Sequence, residues 1–453
     1  MKKYLIVSLF LFNSMLYAQV PWGMFQGCEK HCGINPTSEY KNFGGVKWKF
    51  KTGGKIFSSP TVLNGIAYIG SEDKNLYAVD VNSGNLLWKF RTKGPIHSSP
   101  AVFKGVVYFG SFDGHYYALD AKSGEEKWKF KTGGEKWLGE KGYFGMQPAS
   151  MYMEDPWQYF LSSPILDLNE KDLTLYFGSS DGNLYALDAK DGKLKWKFKT
   201  GNLVHSTPAL YNGKVYVGSW DAYLYAVDAN TGKEVWKFKT GEQPGMSGIQ
   251  ASPTIDNGKV YFGARDAYFY ALDAETGSLA WKYFADNSWI LTTAGAKDGV
   301  VYLGTSDSFL FLALDGNTGE EKFRVKTNGY IYSSPALVGN TAFIGDFTGQ
   351  VFSIDLSSGK TTDVYSTESR KKNAKKVLNK EGNMDFMQLM LGKDNSLYST
   401  TVWVMDQFYS LGSIVSSPIV RDAVVYFGSA DGNFYAVNLR NEASSSGGHE
   451  SHH

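Results

Sequence analysis

The chain has little of what marks several large classes of protein. Its 453 residues include only two cysteines and seven histidines, and 46 Lys and Arg residues against 45 Asp and Glu leave a net charge of +1. This near-neutral balance excludes nucleic-acid binding through a clustered positive excess. Thirteen prolines against 50 glycines exclude collagen-like or proline-rich material and indicate many tight turns. With 43% hydrophobic and 15% aromatic residues, the composition is that of a folded globular protein.

The only long apolar run stands at the start of the chain. Lys2 and Lys3 precede apolar residues 4–12, and the segment that follows ends in Ala18, which is the order of regions in a secretory signal. We expect residues 1–18 to be removed and the mature chain to be periplasmic or extracellular. A membrane anchor is the alternative, but the run is shorter than the roughly 20 residues of a spanning helix. No later segment is long and apolar enough to cross a bilayer.

Both cysteines lie in the N-terminal segment, residues 19–43. In an oxidising compartment Cys28 and Cys32 most simply form a disulfide. The alternative is a soft-metal or redox site that uses both thiolates and the imidazole of His31. Haem attachment is not predicted, because the spacing is one residue longer than that motif requires. Since the pair precedes the first repeat by more than ten residues, we expect it not to contact the core.

One sequence motif recurs along the rest of the chain. It consists of a Ser-Ser-Pro element, an apolar stretch, Tyr-x-Gly-Ser-x-Asp, Leu-Tyr-Ala-x-Asp, a glycine and Trp-Lys-Phe-x-Thr. The proline of the first element stands at Pro60, Pro100, Pro164, Pro208, Pro253, Pro335 and Pro418, with a degenerate copy at Thr293. Trp88 and Trp128 are 40 residues apart, as are Trp196 and Trp236. This period is typical of a four-stranded propeller blade.

The repeat predicts an all-β fold, an eight-bladed β-propeller over residues 44–438. Each period holds four short segments rich in β-branched and aromatic residues, and turn residues separate them. The last copy, residues 416–438, has only three such segments, while residues 44–52 hold a Trp segment alone. Joining the two would complete the eighth blade and remove the open edges of the ring.

Two segments interrupt the period, residues 133–161 and residues 366–412. Both connect one blade to the next, so strand alternation places them on the face that carries the Gly-Ser-x-Asp turns. Loops on a rigid scaffold commonly carry function, and aromatic residues are enriched in protein interfaces. The predicted partner-contact residues are Trp137, Tyr143, Phe144, Tyr152, Trp157, Trp403 and Phe408. The spacing of Met384, Met387 and Met390 predicts one face of a short helix packed on the scaffold. The alternative is a methionine-rich surface for a partner or a soft metal.

Three residues of the repeat are candidates for ligand binding at the channel mouth. His97 and His205 stand directly before Ser-Ser-Pro or Ser-Thr-Pro elements, where the innermost strands begin. Arg265 is the only cation at the variable position of the Gly-Ser-x-Asp turns and could clamp a carboxylate or a sulfur oxyanion. Ordinary polar lining is the alternative for the histidines. The tail, residues 439–453, is polar and of low complexity, so we expect disorder, with weak metal capture by its histidines as the alternative.

The motif Ala-x-Asp-x-x-Thr-Gly-x-x-x-Trp, intact at residues 226–236, resembles the repeat of pyrroloquinoline-quinone (PQQ) propellers. The resemblance covers residues 44–438 and implies the propeller fold. The family includes quinoprotein alcohol dehydrogenases, at least one polythionate hydrolase, and propellers without a quinone, such as the outer-membrane assembly lipoprotein of the Bam complex. The dehydrogenases carry adjacent cysteines against the quinone and a calcium or lanthanide site, and this sequence offers neither within the repeats.

These departures favour the members that are not enzymes. We expect an exported scaffold without a cofactor, which binds a protein partner in the periplasm or at the outer membrane through the face with the two interruptions. The alternative is a periplasmic enzyme on the same fold, either a dehydrogenase that uses PQQ with calcium or a hydrolase of small sulfur oxyanions.

Overall fold

The fold is a closed ring of eight four-stranded antiparallel sheets, as the repeat predicts. The computed structural model describes residues 22–35, 39–142, 145–157, 159, 161–168, 173–241, 248–393 and 396–441. The predicted signal, residues 1–18, therefore lies outside the described residues. So do Tyr143, Phe144 and residues 442–453.

The strands of each blade follow one another in the chain and in the sheet, from the channel outwards. In blades 1 to 4 they are Thr61–Leu63, Ile66–Gly70, Asn75–Asp80 and Leu86–Arg91; Ala101–Phe103, Val106–Ser111, His115–Asp120 and Glu126–Lys131; Ile165–Asp167, Thr174–Gly178, Asn183–Asp188 and Leu194–Lys199; and Ala209–Tyr211, Lys214–Gly218, Tyr223–Asp228 and Glu234–Lys239. In blades 5 to 7 they are Thr254–Asp256, Lys259–Gly263, Tyr268–Asp273 and Leu279–Phe284; Gly295–Lys297, Val300–Gly304, Leu310–Asp315 and Glu321–Lys326; and Ala336–Val338, Thr341–Gly345, Gln350–Asp355 and Lys360–Ser366. Blade 8 combines Ile419–Arg421, Val424–Gly428 and Asn433–Arg440 with Asn42–Lys51.

In six of the eight blades, a tryptophan of the outer strand joins neighbouring blades. Trp88 donates its indole N–H to the Ala121 carbonyl of the next blade at 3.1 Å, and its ring packs on Gly124. A Cβ at Gly124 would lie 2.7 Å from the ring, and its φ of +75° also favours glycine. The motif therefore pairs a large ring with a turn that has no side chain.

The Ser-Ser-Pro elements form the wall of the channel. In seven of the eight elements, the second hydroxyl accepts a hydrogen bond from the backbone N–H of the equivalent residue in the preceding blade; the exception is Thr293. This ladder runs through Ser59, Ser99, Ser163, Thr207 and Ser252, resumes at Thr293, Ser334 and Ser417, and returns to Ser59. The first hydroxyl can bind both within its own blade and to the next one: Ser58 Oγ accepts from the Gly70 N–H at 3.2 Å and donates to the Ser98 carbonyl at 3.1 Å.

The N-terminal strand closes the ring, as predicted. Asn42–Lys51 pairs antiparallel with Asn433–Arg440, with Trp48 opposite Ala436. Trp48 is buried and donates to the Val81 carbonyl of blade 1 at 2.9 Å. Both strands are longer than predicted, so the tail begins after Arg440 rather than at residue 439.

Two long connections lie on one face of the ring, called here the connection face. Residues 133–161, the 2–3 connection, form a hairpin of strands Gly139–Lys141 and Tyr152–Glu154. Residues 366–412, the 7–8 connection, form helices Glu368–Val377, Phe386–Met390 and Leu397–Tyr409. None of the helices in the described part of the chain is long and apolar enough to span a membrane.

Residues 22–35 close the opposite end of the channel as a plug. Trp22–Gly23 adds a short strand to the innermost strand of blade 2, and Phe25–Gly27 forms one turn of 3₁₀ helix. Beyond this turn, carbonyls of the plug accept hydrogen bonds from equivalent N–H groups of successive inner strands. The pairs are Glu29 with Leu210, Lys30 with Ile255, Cys32 with Ala296 and Gly33 with Leu337. The plug thus satisfies N–H groups that would otherwise lie unpaired at the channel end.

The expectation that the cysteines avoid the core is wrong. His31 is fully buried, and its Nδ1 lies 2.8 Å from the Pro253 carbonyl oxygen. Burial lowers the pKa of His31 to about 4, so the ring is neutral. Cys28 and Cys32 are not bonded to each other in this structure, but their Sγ atoms lie only 2.7 Å apart, and the hydrogen bond between the two lowers the pKa of Cys32 to about 7. The disulfide stays a prediction.

We predict that Trp48→Ala destabilises the propeller strongly. Loss of a buried tryptophan at the seam should cost about 3–5 kcal/mol of unfolding free energy. Urea unfolding followed by fluorescence measures this loss. Lys47→Ala, on the exposed neighbouring residue, is the control and should change stability little. A loss below about 1 kcal/mol for Trp48→Ala would contradict the role of this strand in closing the ring.

We predict that reduction of a Cys28–Cys32 disulfide loosens the plug and leaves the propeller intact. The loop that they close is short, so its chain-entropy contribution is below the ~3 kcal/mol of a 15-residue loop. Hydrogen exchange should become faster at the N–H groups of Leu210, Ile255 and Ala296, while the main melting transition stays unchanged. The Cys28→Ser/Cys32→Ser variant should behave like the reduced protein. Free thiols in the exported protein under non-reducing denaturation would refute the disulfide.

Candidate functional site

The residues before the Ser-Ser-Pro elements line the channel below the connection face, as expected from the repeat. Together with the hydroxyl ladder, six of them enclose a cavity of about 20 Å³, and Phe25 of the plug lines it as well. This volume holds about one water molecule. The six residues are Phe57, His97, Leu161, His205, Gln250 and Leu291.

Arg265 lies at the mouth of the channel, fully buried between two indole rings. Its guanidinium carbon is 4.4 Å from the ring centre of Trp220 and 4.2 Å from that of Trp289. Its Nη2 lies 2.7 Å from a carboxylate oxygen of Asp155, which is also fully buried, and donates to Gln250 Oε1 at 2.8 Å. The 2–3 connection thus supplies the anion that this cation binds.

His205 lies in a chain of hydrogen bonds that begins at Trp220, one of the two indoles beside Arg265. The Trp220 indole N–H donates to His205 Nδ1 at 3.2 Å, which places the ring proton on Nε2, 2.7 Å from Ser180 Oγ. Ser180 Oγ then donates to Glu135 at 2.6 Å. Burial, followed by the charge of Arg265, lowers the pKa of His205 to about 3. The ring is therefore neutral, and both of its nitrogens have partners within the chain.

His97 has a different environment. Its side chain is only 1% exposed and is surrounded by the rings of Phe57, Phe112 and Trp137, with centroids 5.0 to 5.6 Å away. Neither ring nitrogen has a hydrogen-bond partner among the described residues, and Nε2 lies 3.6 Å from Glu72 Oε1. Within the described ranges, no group of three or more His, Cys, Asp or Glu side chains could hold a metal ion.

The aromatic residues of the 2–3 connection turn largely inwards. Trp137 stacks on Phe112 with ring centres 4.3 Å apart, and Trp157 meets Trp289 edge-on at 6.0 Å. Tyr159 is buried over the mouth. Its ring contacts those of Phe57, Tyr332, Phe347 and Tyr409 at 5.1 to 5.9 Å. The mouth is therefore covered by the chain itself.

Only part of the predicted partner-contact set is accessible. Tyr152 is 54% exposed and Trp403 is 36% exposed, with Lys393 Nζ 3.9 Å from the Trp403 ring centre. Phe408 is fully buried and packs towards Tyr330 and Phe386. The structure corrects its assignment as a partner-contact residue: Phe408 lies on the buried side of helix Leu397–Tyr409.

Three residues of the mouth were missed by the sequence reasoning. Asp155, Glu135 and Trp289 belong to no repeated motif, and they reach Arg265 or His205 only through the fold. One signal was available, because Asp155 is a carboxylate in a connection that is otherwise rich in aromatic residues.

Comparisons with known proteins agree with this architecture. The structure is similar to that of BamB from Moraxella catarrhalis, with a TM-score of 0.62 and 16% identity over 88% of this chain and 100% of that chain. It is also similar to a europium-containing methanol dehydrogenase, with a TM-score of 0.65 and 13% identity over 92% and 98% of the two chains. A quinohemoprotein alcohol dehydrogenase from Comamonas testosteroni gives a TM-score of 0.65 and 14% identity over 94% and 82%. At these identities the likeness establishes the fold alone.

The sequence comparison is more specific. No curated protein sequence matches the chain. One family, PQQ_2, which is described as outer membrane protein assembly factor BamB, matches residues 40–154, 157–263 and 220–383. These matches cover most of the propeller, from the N-terminal strand to a point just after the first helix of the 7–8 connection. The chain therefore belongs to the PQQ_2 family of BamB-type β-propellers.

Proposed function

We propose that the protein is an exported, non-catalytic scaffold that binds a protein partner through its connection face. The covered channel mouth is the observation that carries this proposal. In an enzyme on this fold, the mouth would have to admit a substrate or a cofactor. Here Asp155 and Tyr159 of the 2–3 connection lie in that position and contact the ring from above.

The mouth geometry argues against a bound quinone with calcium. The channel cavity measures about 20 Å³, and the pocket beside Tyr159 about 200 Å³, whereas small-molecule and cofactor sites typically measure 300–1,000 Å³. The described carboxylates form no cluster that could ligate a hard cation. The residues present therefore do not fit PQQ with calcium, and this supports a scaffold without a cofactor.

The hydrolase alternative depends on Arg265 as an anion clamp. Because Asp155 already pairs with this guanidinium, a sulfur oxyanion would have to displace a buried carboxylate. Breaking a buried pair by removing one partner typically costs about 3–5 kcal/mol. The ion pair is thus better explained as an anchor that holds the 2–3 connection on the ring.

Exposed apolar side chains supply a surface for a partner. Met387 and Leu391 of the 7–8 connection are 68% and 75% exposed, the highest values among the large apolar residues described. Met151, Tyr152 and Trp403 add to this surface on the same face. Methionine and aromatic side chains are enriched in protein interfaces. Their concentration on the two connections favours the connection face over the sides of the ring.

The cellular location follows from two further observations. The first 18 residues have the order of regions of a secretory signal, and the family description names outer membrane protein assembly. We therefore propose that the mature protein works in the periplasm, with a partner at or near the outer membrane.

We predict that Met387→Glu/Leu391→Glu reduces partner capture at least about tenfold, since two charges would have to be desolvated in the interface. The measurement is chemical cross-linking in the exporting cell, followed by purification of this chain and identification of the partner by mass spectrometry. Both residues are exposed, so the melting temperature should stay unchanged.

The matched control is Leu86→Glu/Leu87→Glu on the outer strand of blade 1, where the side chains are 44% and 48% exposed. It adds the same charge and should leave capture intact. Equal losses for both variants, or no loss for either, would contradict binding through the connection face.

We also predict that the protein retains no quinone. After incubation with PQQ and calcium and removal of free ligand by gel filtration, the absorbance spectrum should show no bound chromophore, and dye-linked alcohol oxidation should be absent. A quinoprotein dehydrogenase apoenzyme treated in the same way is the positive control. Stoichiometric retention of PQQ with alcohol oxidation would overturn the scaffold proposal.

A further inference from the structure

A pocket of about 200 Å³ lies on the connection face beside the covered mouth. Its lining includes Lys55 and Glu72, which lie near blade 1, Glu154 of the 2–3 connection, and Tyr398 and Asp406 of the last helix. The side chains of Lys55 and Asp406 are 35% and 60% exposed, so solvent reaches the pocket. None of the roles proposed above uses this space.

The wall of the pocket has an excess of negative charge. Four carboxylates, those of Glu72, Glu154, Asp155 and Asp406, face one ammonium group, that of Lys55. Arg265 neutralises Asp155 at 2.7 Å. Burial opposes ionisation of Glu72, but His97 and Lys55 outweigh it, and the pKa of this carboxyl is lowered. The pocket therefore keeps an uncompensated charge of about two carboxylates at neutral pH.

Lys55 pairs only weakly with the carboxylates of this pocket. Its Nζ lies 3.8 Å from Glu72 and 3.9 Å from Asp406, both longer than a hydrogen bond. It also lies 4.8 Å from the ring centre of Tyr409, in the position of a cation over an aromatic face. The ammonium group of Lys55 therefore lies beside Glu72 and Asp406 without forming a hydrogen bond to either carboxylate.

His97 is a second indication of a ligand, because its Nε2 lies 3.6 Å from Glu72, beyond hydrogen-bond distance. Its imidazole is almost completely buried, borders the pocket and has no hydrogen-bond partner among the described residues. A buried polar group without a partner costs free energy unless something bonds to it. An imidazole nitrogen that carries no proton can accept a hydrogen bond from an N–H donor of a ligand.

The remaining walls are aromatic. Trp137, Tyr159, Tyr398 and Tyr409 border the same space. Aromatic faces and carboxylates together bind organic cations, because the negative ring face and the anions attract one charge while the apolar rings accept its carbon atoms. Small inorganic cations need several converging oxygen ligands instead.

We propose that this pocket binds an organic cation, an ammonium or guanidinium group on an apolar stem. The cation lies between Glu72 and Asp406, donates to His97 and packs its stem on Tyr398. Two kinds of ligand carry such a group: a free amine, and a Lys or Arg side chain of the protein partner. Only the second kind rests on the proposed function.

The test uses N-acetyl-arginine amide as the probe and N-acetyl-citrulline amide as its neutral analogue. Titration calorimetry should show saturable binding of the arginine probe and at least about tenfold weaker binding of citrulline, because the charge supplies the selectivity. Absence of saturable arginine binding up to about 10 mM, or equal binding of both probes, would overturn the proposal.

Variants then assign the binding to this pocket. Glu72→Gln/Asp406→Asn should weaken arginine binding at least about tenfold, whereas Glu381→Gln/Asp422→Asn, with the same charge change on exposed residues, should not. Lys55→Gln should strengthen binding about threefold or more, because it removes the competing cation. Lys93→Gln on an exposed loop is the control for that gain. A gain cannot arise from misfolding, so unchanged affinity in Lys55→Gln would contradict the proposed position of the cation.

A third ligand separates the two sources. If n-butylammonium binds as tightly as the arginine probe, a free amine suffices; if only the amide-flanked probe binds, a side chain of a protein is the ligand. Partner capture by the Met387→Glu/Leu391→Glu variant reports on a different surface. Failure of the cation site and failure of the scaffold proposal are therefore distinguishable.

Discussion

The ring of hydrogen bonds between the Ser-Ser-Pro elements is the constraint on which the rest of the structure depends. Seven of the eight second hydroxyls accept from the N–H of the preceding blade, and the ring closes where Ser417 donates its N–H to Ser59. All inner strands consequently start at one level, and the residues before these elements form a single layer at the channel mouth. The proline that follows has no N–H to leave unpaired in the channel wall.

Segments outside the repeat close both ends of this regular channel. At one end, carbonyls of Glu29, Lys30 and Cys32 pair with the free edges of the inner strands. At the other end, Tyr159 and Asp155 cover the mouth. Among the described residues, a pocket of about 200 Å³ lies beside the covered mouth, on the connection face.

The buried pair of Arg265 and Asp155 explains how the 2–3 connection is held in place. Desolvating two charges is costly, so such a pair contributes little net stability compared with apolar packing. The pair does fix the position of the 2–3 connection, since neither charge tolerates burial without the other. The indole rings of Trp220 and Trp289 on either side of the guanidinium restrict that position further. The connection is thereby fixed by electrostatics, and its exposed side remains available for contacts.

The sequence by itself determined the number of blades, the order of the strands and the seam at Trp48, because each depends on a short pattern that repeats about every 40 residues. It also predicted that His97, His205 and Arg265 lie near the channel mouth, from two different positions of the repeat. Only the tertiary structure decided what these residues contact. Asp155 reaches Arg265, and His31 reaches Pro253, from segments that do not repeat, far away in the chain. No periodicity encodes such contacts, since they arise from packing irregular chain against a surface that exists only once the ring has closed.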